Sequence, residues 1–211
     1  MGERVVVSLC DLTGVMVRPW AEAGHDCLCL DTQHSIRADR VERVGAGSIT
    51  YRWADVRSVT PADLPNPHIV FAFPPCTHLA VSGARDFARK GLRLLIDALE
   101  VVEACRMLCE FSGAPWMLEN PVSRLSTLWR KPDHLFDPCD YGEPYTKRTC
   151  LWTGGGFVMP PKAPVPATLG SAIHVMPPSA DRANLRSATP MGFARAAFAA
   201  NASPLLARGA A

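Results

Sequence analysis

Apolar and polar positions along the chain switch between two periods, and the switching outlines a repeating β-α-β pattern. Val5-Val6-Val7-Ser8-Leu9 is a short β-branched run suited to a strand buried on both faces, and it ends in turn residues that include Gly14. Residues 15–23 carry apolar side chains at helical spacing up to Gly24, a helix stop, although Pro19 suits only a first turn. Residues 27–30 read as a second strand ending at Asp31, residues 50–53 as a third leading to Asp55, and residues 68–73 as a fourth, halted by Pro74-Pro75. From residue 86 to 111 the spacing predicts one long helix with Leu92, Leu95, Ile96, Leu99, Val102, Met107 and Leu108 on its apolar face. Trp116-Met117-Leu118 predicts a fifth strand cut off at Asn120-Pro121, and a last helix is expected from Pro190 through Phe193 to Ala200.

Strands alternating with helices predict an α/β fold with a mostly parallel central sheet flanked by helices, its ligands lying at the carboxyl ends of the strands. Asp31, Asp55, Pro74 to Cys76 and Glu119 are all expected at such ends. Past Trp152 the glycines 154–156 and Pro160, Pro161, Pro164 and Pro166 lower sheet propensity, so 153–189 reads as a short irregular insert and 204–211 as a flexible tail. With 211 residues and 48% hydrophobic content, the chain suits a single domain, 1–211, around one core.

A net charge of +2 does not by itself identify a nucleic-acid binder. Basic residues do cluster locally, at Arg85, Arg89, Lys90 and Arg93 and again at Arg124, Arg130, Lys131, Lys147 and Arg148, where solvated surface and phosphate contact are equally economical readings. The eight cysteines are spread through apolar stretches, which fits a reduced cytoplasmic protein better than a disulfide framework. No apolar stretch approaches the roughly 20 residues of a membrane span, so no membrane partner is expected. Cys27, Cys29 and His25 lack a second ligand pair at zinc spacing, and no metal is expected; Cys105 and Cys109, four apart on a helix, read as core.

Two short motifs carry chemistry. Cys76 follows two prolines at the end of a buried strand, a rigid support for a nucleophile, although an isolated Pro-Pro-Cys is more often an inert buried cysteine. Glu119-Asn120-Pro121 places a carboxylate at the end of the next strand, where a proton donor or a simple capped turn is possible. Together they meet one specific demand: C5 of cytosine becomes nucleophilic only after a thiolate adds to C6 and an acid protonates N3. Gln33 and His34 follow Asp31 closely enough to line a cleft, with a surface loop the equal alternative for His34. Thr77 and His78 adjoin the cysteine, where a helix-capping role for Thr77 is as economical as a substrate contact.

These residues resemble the DNA cytosine-5 methyltransferases, especially their compact, phage-like members, over nearly the whole chain. Ser8-Leu9-Cys10-Asp11-Leu12-Thr13-Gly14 is similar to the family's first cofactor motif, Asp31 to its ribose-binding acid and Asp55-Val56 to its adenine-contacting pair. Phe73-Pro74-Pro75-Cys76 matches the nucleophile motif, Glu119-Asn120-Pro121 the acid motif, and Lys147-Arg148-Thr149 the basic strand, with Arg148 in the target-contacting position. The resemblance implies a Rossmann-like class I fold, S-adenosylmethionine as cofactor and cytosine-containing DNA as partner. It implies catalytic roles for Cys76, Glu119 and Arg148, and cofactor contacts from Asp11, Thr13, Gly14, Asp31, Asp55, Val56 and Pro74. Substrate contacts are expected from Pro75, Thr77, Ser82, Arg85 and Asn120, with residues 82–85 closing over a flipped base.

The chain departs from the family in lacking the second glycine of the cofactor motif. Only about forty residues separate Trp152 from Phe193, little for base-specific reading. Ser187-Ala188-Thr189-Pro190 resembles the closing motifs only loosely, and a structural role is expected there. Two alternatives stay open: a pyrimidine methyltransferase acting on free nucleotide or RNA, and a catalytically silent nucleic-acid-binding domain. A cofactor variant that transfers a group other than methyl is a further possibility.

Overall fold

The computed structural model describes residues 5–171, 184 and 187–202. The predicted tail at 204–211 and residues 172–183 and 185–186 of the predicted insert lie outside the described residues. The elements run β1 (Val5–Leu9), α1 (Arg18–Glu22), β2 (Asp26–Asp31), β3 (Arg40–Val44), β4 (Gly47–Trp53), β5 (Pro67–Ala72), α2 (Phe87–Glu110), β6 (Trp116–Pro121), α3 (Leu125–Leu128), β7 (His134–Phe136), β8 (Thr149–Gly154) and α4 (Met191–Asn201). They build one eight-stranded sheet in the order β3-β4-β2-β1-β5-β6-β8-β7.

The five strands expected from the hydrophobic pattern, β1, β2, β4, β5 and β6, form the parallel centre. The sheet as a whole is mixed. β3 runs antiparallel to β4, and β8 runs antiparallel to both β6 and β7. None of β3, β7 and β8 shows in the pattern as a buried run: β3 is the mostly exposed Arg-Val-Glu-Arg-Val, an edge strand whose charges suit a solvent-facing side. It turns back into β4 through Gly45-Ala46, with Gly45 at φ +57°.

Alternate residues of the central strands feed two cores. Val7, Leu9, Val70 and Ala72 face Ala98, Val102, Cys105, Leu108 and Cys109 of α2. Val6, Ile69 and Phe71 face Trp20 and Ala21 of α1 and Phe193, Ala194 and Ala197 of α4. Both faces of the sheet are thus covered, as continuous rather than alternating hydrophobic strands require.

Three elements differ from their predicted form. α1 begins only at Arg18, because Pro19 is tolerated in a first turn and would break a helix started earlier. The long helix is kinked at Gly91, whose φ of 73° is far from helical. Of the predicted apolar face, Val102 and Leu108 are buried and Leu95 and Leu99 pack partly buried against the core, while Leu92, Ile96 and Met107 are 76%, 47% and 39% exposed; Ala98, Cys105 and Cys109 complete the buried stripe. β6 does not stop at Asn120: Glu119, Asn120 and Pro121 continue the strand by pairing with Leu151, Cys150 and Thr149 of β8. The predicted insert loses residues 153 and 154 to β8, while 155–170 contain no helix or strand.

Gly47 opens β4 in a space with no room for a side chain, since a Cβ there would lie 2.2 Å from the His25 carbonyl oxygen and 2.7 Å from that of Ala21. Gly47→Ala is expected to lower stability by roughly 1–3 kcal/mol, read as a lower urea midpoint with an unchanged slope.

Candidate active site

The strand order reverses direction of growth between β1 and β5, and in open α/β sheets that switch point opens a crevice at the carboxyl ends. A cleft of about 1140 Å³ lies there, ample for a nucleoside-sized ligand beside a second small molecule. Its walls include Asp11 and Thr13 after β1, Asp31 and Gln33 after β2, Pro74 to Thr77 after β5, Glu119 and Asn120 in β6, and Lys147 and Arg148 before β8. Residues distant in sequence, the cysteine and glutamate motifs among them, therefore line a single cavity.

After β1 the chain is held by Asp11. One carboxylate oxygen accepts from the Thr13 amide (2.9 Å), the Gly14 amide (2.8 Å) and the Thr13 hydroxyl (3.1 Å), and the other from the Ser8 hydroxyl (2.8 Å). Asp11 therefore shapes the loop, and its carboxylate is spent on that task. Gly14 is needed for φ +66° and for contact with the Tyr51 side chain; it does not line the cleft. Cys10 adopts φ +54° at the strand's end, unusual for a non-glycine residue, and lines the cleft, although within its motif only Asp11, Thr13 and Gly14 were expected to contact a cofactor.

Asp31 is buried, with its carboxyl pushed above the usual range by desolvation even though one oxygen accepts from the Gln33 amide at 2.8 Å. Gln33 enters the cleft wall, while His34 packs on Tyr51 and places Nε2 3.1 Å from the Asp11 carbonyl oxygen. Asp55 and Val56, expected at the cofactor, are elsewhere. Asp55 caps the following 3-10 turn and is chelated by Arg57, which holds its carboxyl below the usual range, and Val56 is a buried core residue. Neither lines the cleft.

The catalytic motifs are tied together by one hydrogen bond: the buried Asn120 side chain donates through Nδ2 to the Pro74 carbonyl oxygen at 3.0 Å. Asn120 thereby positions the cysteine loop. Cys76 is half-buried, and its carbonyl accepts from the amides of Leu79 and Ala80, both at 2.9 Å, which closes a tight turn beneath the thiol. Pro75 and Thr77 are exposed in the cleft wall; the Thr77 carbonyl accepts from Lys90 Nζ at 2.7 Å. Ser82 also lines the cleft, but Arg85 does not. Its side chain is 91% exposed.

Burial separates the thiols. It pushes up those of Cys27, Cys29, Cys109 and, to about 11, Cys150; for Cys105 the contact with the Cys10 sulfur acts first and burial second. Such thiols stay protonated and unreactive.

Glu119 is only partly buried as a residue, yet its Oε1 is inaccessible and makes no hydrogen bond among the described residues; Asn120 Oδ1 is in the same condition. Burial raises the Glu119 carboxyl above the ordinary range, and the charge of Lys147 pulls it back down. The register explains why Lys147 is the nearby cation. Glu119 pairs with Leu151, so alternation along β8 directs Thr149 and the preceding Lys147 to the Glu119 face and Arg148 to the face of Asn120. Lys147 and Glu119 also share a small apolar-walled pocket with Phe73, Phe136 and Phe193. Arg148 lines the cleft but is 57% exposed and bridges to Asp137 at 3.1 Å. A period-2 reading of Lys147-Arg148-Thr149 against Glu119 would have identified Lys147 only once the pairing register was known.

No family model and no curated protein matches this sequence. Among solved structures, a prophage-encoded chain of E. coli described as a candidate DNA modification methyltransferase overlays with a TM-score of 0.45 at 18% identity, over 79% of this chain. The overlap covers 54% of that chain, so this protein spans about half the neighbour's length. A likeness of that quality carries no functional weight. Among the described residues, no group of three or more His, Cys, Asp and Glu side chains is placed to hold a metal ion, and no helix is long and apolar enough to cross a membrane.

Three outcomes follow from this geometry. Asn120→Ala removes the bond to Pro74 from a buried position and is expected to cost about 1–3 kcal/mol of stability, read by urea unfolding. For Glu119 the folded chain holds its proton more tightly than the unfolded chain, so the associated stabilisation is complete at acid pH and disappears as pH rises through the raised pKa. Glu119→Gln should therefore match the wild type at acid pH and exceed it in melting temperature at neutral pH and above, by about 1–2 °C per half kcal/mol of relieved burial. Lys147→Met should move the Glu119 titration, followed by carboxyl NMR, to higher pH.

Proposed function

We propose that this chain is an S-adenosylmethionine-dependent methyltransferase acting at C5 of cytosine in DNA. The observation that carries the reading is the convergence of Cys76 and Glu119 in one cleft at the sheet's switch point, with the Glu119 carboxyl held toward its protonated form by burial.

The Cys76 thiol gives its proton to water and the resulting thiolate bonds to C6 of the ring while Glu119 delivers its proton to N3, so the electron pair displaced from the 5,6 double bond becomes available at C5. Burial suits Glu119 to this, because a neutral carboxylic acid can donate to N3 where a carboxylate can only accept. Lys147 limits the upward shift, which leaves a group able both to give the proton and to recover it. Once C5 carries its new substituent, a water molecule takes the C5 proton, that C–H pair re-forms the 5,6 double bond, the Cys76 thiolate leaves C6, and the N3 proton returns to Glu119. The methyl group, as an electrophile on a sulfonium, is the chemistry the bound cofactor supplies.

The first strand end fits such a cofactor in part. Thr13, Gln33 and the buried, incompletely paired Asp31 lie on one side of the cleft and suit ribose hydroxyls and the amino-acid end, with Pro74 between them and the cysteine. Asp55, neutralised by Arg57, does not fit an adenine contact as it stands. A duplex substrate must present its cytosine outside the base stack, because Cys76 lies within the cleft wall.

One observation favours a second reading, transfer to a free cytidine nucleotide. Residues 155–170 fold back on the β7–β8 connection, with Ala163, Val165 and Leu169 amides donating to the carbonyls of Asp140, Cys139 and Pro144, each at 2.8 Å. They add no lobe that would read a duplex. The deciding measurement is transfer of labelled methyl from adenosylmethionine to cytosine-containing DNA, in parallel with transfer to cytidine nucleotides, followed by bisulfite sequencing of the DNA. Label in DNA is expected for the wild type, none for Cys76→Ser, and about 10²–10⁴-fold less for Glu119→Gln. Label in nucleotides alone would establish the second reading, and no transfer to either would refute both.

A further inference from the structure

Two thiols that the chemistry above does not use meet at the edge of the cleft. Cys10 Sγ, at the end of β1, and Cys105 Sγ, on α2, lie 3.8 Å apart. They differ in access. Cys10 is half-buried and lines the cleft, whereas Cys105 is fully enclosed in the core that α2 builds against the sheet. A small reagent entering the cleft therefore meets Cys10 first, and Cys105 only through it.

Both thiols are carried by well-held backbone. On either side of Cys10 the Leu9 carbonyl accepts from the Phe73 amide at 2.9 Å and the Asp11 amide donates to the Leu30 carbonyl at 3.3 Å, so the turn at φ +54° is tied to both neighbouring strands. Cys105 belongs to the buried stripe of α2 with Ala98, Val102, Leu108 and Cys109. The sulfurs of a disulfide stand about 2 Å apart, so this pair closes over a gap of about 1.8 Å.

We propose that Cys10 and Cys105 form an oxidation site for peroxides, where a reversible disulfide reshapes the loop over residues 11–14 and weakens adenosylmethionine binding. In the first step the Cys10 thiol gives its proton to water and its sulfur bonds to one peroxide oxygen. The O–O bond breaks and the other oxygen leaves as hydroxide, so the sulfur is oxidised by two electrons to a sulfenic acid and the peroxide is reduced. In the second step the Cys105 sulfur bonds to the Cys10 sulfur, the S–O bond breaks, and the hydroxide departs with the Cys105 thiol proton as water. Two thiols and one hydrogen peroxide give one disulfide and two waters. Contact with Cys10 and burial keep the Cys105 thiol protonated, which bars it from attacking peroxide itself; at 3.8 Å it is nevertheless placed to resolve an electrophilic sulfur on Cys10.

The consequence follows from what adjoins Cys10. Asp11 holds the Thr13 and Gly14 amides through its carboxylate, and its carbonyl oxygen lies 3.1 Å from His34 Nε2. Because α2 is anchored along its buried stripe, closure draws the end of β1 toward the helix and the loop bonded to Asp11 moves with it. The effect on cofactor binding rests on the methyltransferase reading; the oxidation site itself does not.

The test uses the full chain carrying Cys76→Ser, which removes the other thiol of the cleft wall. The protein is treated with hydrogen peroxide, alkylated with iodoacetamide and digested with trypsin without reduction; cleavage after Arg106 parts Cys105 from Cys109. Calorimetric titration with adenosylmethionine follows on reduced, oxidised and dithiothreitol-recovered protein, with Cys105→Ala as control and a circular-dichroism melt to check its fold. A disulfide joining the Cys10 and Cys105 peptides is expected, with affinity lowered about fivefold or more and both changes undone by dithiothreitol. Oxidised Cys105→Ala should form no link, take up dimedone at Cys10 and keep its affinity. Cys10 recovered without a link to Cys105 would overturn the oxidation site. A link with unchanged affinity, or an equal loss of affinity in Cys105→Ala, would overturn the role of the disulfide. No adenosylmethionine binding by the reduced protein would overturn the methyltransferase reading and the effect on binding with it, while the peptide map would still decide the oxidation site.

Discussion

The hydrogen bond from Asn120 Nδ2 to the Pro74 carbonyl is the contact on which the candidate site depends. Parallel pairing of β5 with β6 ends at Ala72 and Leu118, one residue short of Glu119 and four short of Cys76. Beyond that point the two strands have no ladder to hold them in register. Pro74 and Pro75 carry no N–H, so the segment leading to the cysteine cannot donate a main-chain bond sideways, but it can accept one. Asn120 supplies the donor from a fully buried position, which makes the bond stiff and its loss costly. β8 completes the arrangement by pairing with Glu119, Asn120 and Pro121 from the other side, so the acid is fixed by a sheet rather than by a loop.

Burial then does the electrostatic work. A carboxyl enclosed by Phe73, Phe136 and Phe193 is pushed toward its neutral form, and Lys147, brought to the same face by the pleat of β8, moderates that push. The same logic leaves most of the cysteines inert, since deep burial raises their thiols. Where the wall of the cleft is polar, as at Asp31 and Gln33, ligand hydroxyls find partners; where it is paired internally, as at Asp11 and Asp55, the groups hold the protein's own backbone or a neighbouring arginine.

Asp11 and Asp31 show how similar motif residues divide. Both lie at the carboxyl end of a parallel strand and both line the cleft. Asp11 meets four donors of its own loop, so it orders the path on which Thr13 sits. Asp31 is met instead by Gln33 alone, through its amide and its side chain among the described residues, and stays in the cleft wall with its carboxyl raised by burial. The difference lies in loop conformation, and no property of the aspartate itself anticipates it.

The sequence by itself determined the five parallel strands, the α/β layering, α4 and the placement of Cys76 and Glu119 at neighbouring strand ends, because continuous β-branched runs, helical spacing and prolines act locally and leave a local trace. It did not determine β3, a charged edge, β7, three residues long, or β8, whose antiparallel place between β6 and β7 is set by its partner strands. Nor could it show that Leu92 and Ile96 are exposed while Leu95, Leu99, Val102 and Leu108 meet the core, since which part of a long helix's apolar face the sheet covers is set by packing. Asp55 being taken by Arg57 and Lys147 rather than Arg148 standing beside Glu119 were decided by tertiary structure alone. Each depends on register or loop path, which are set by contacts between segments far apart in the chain.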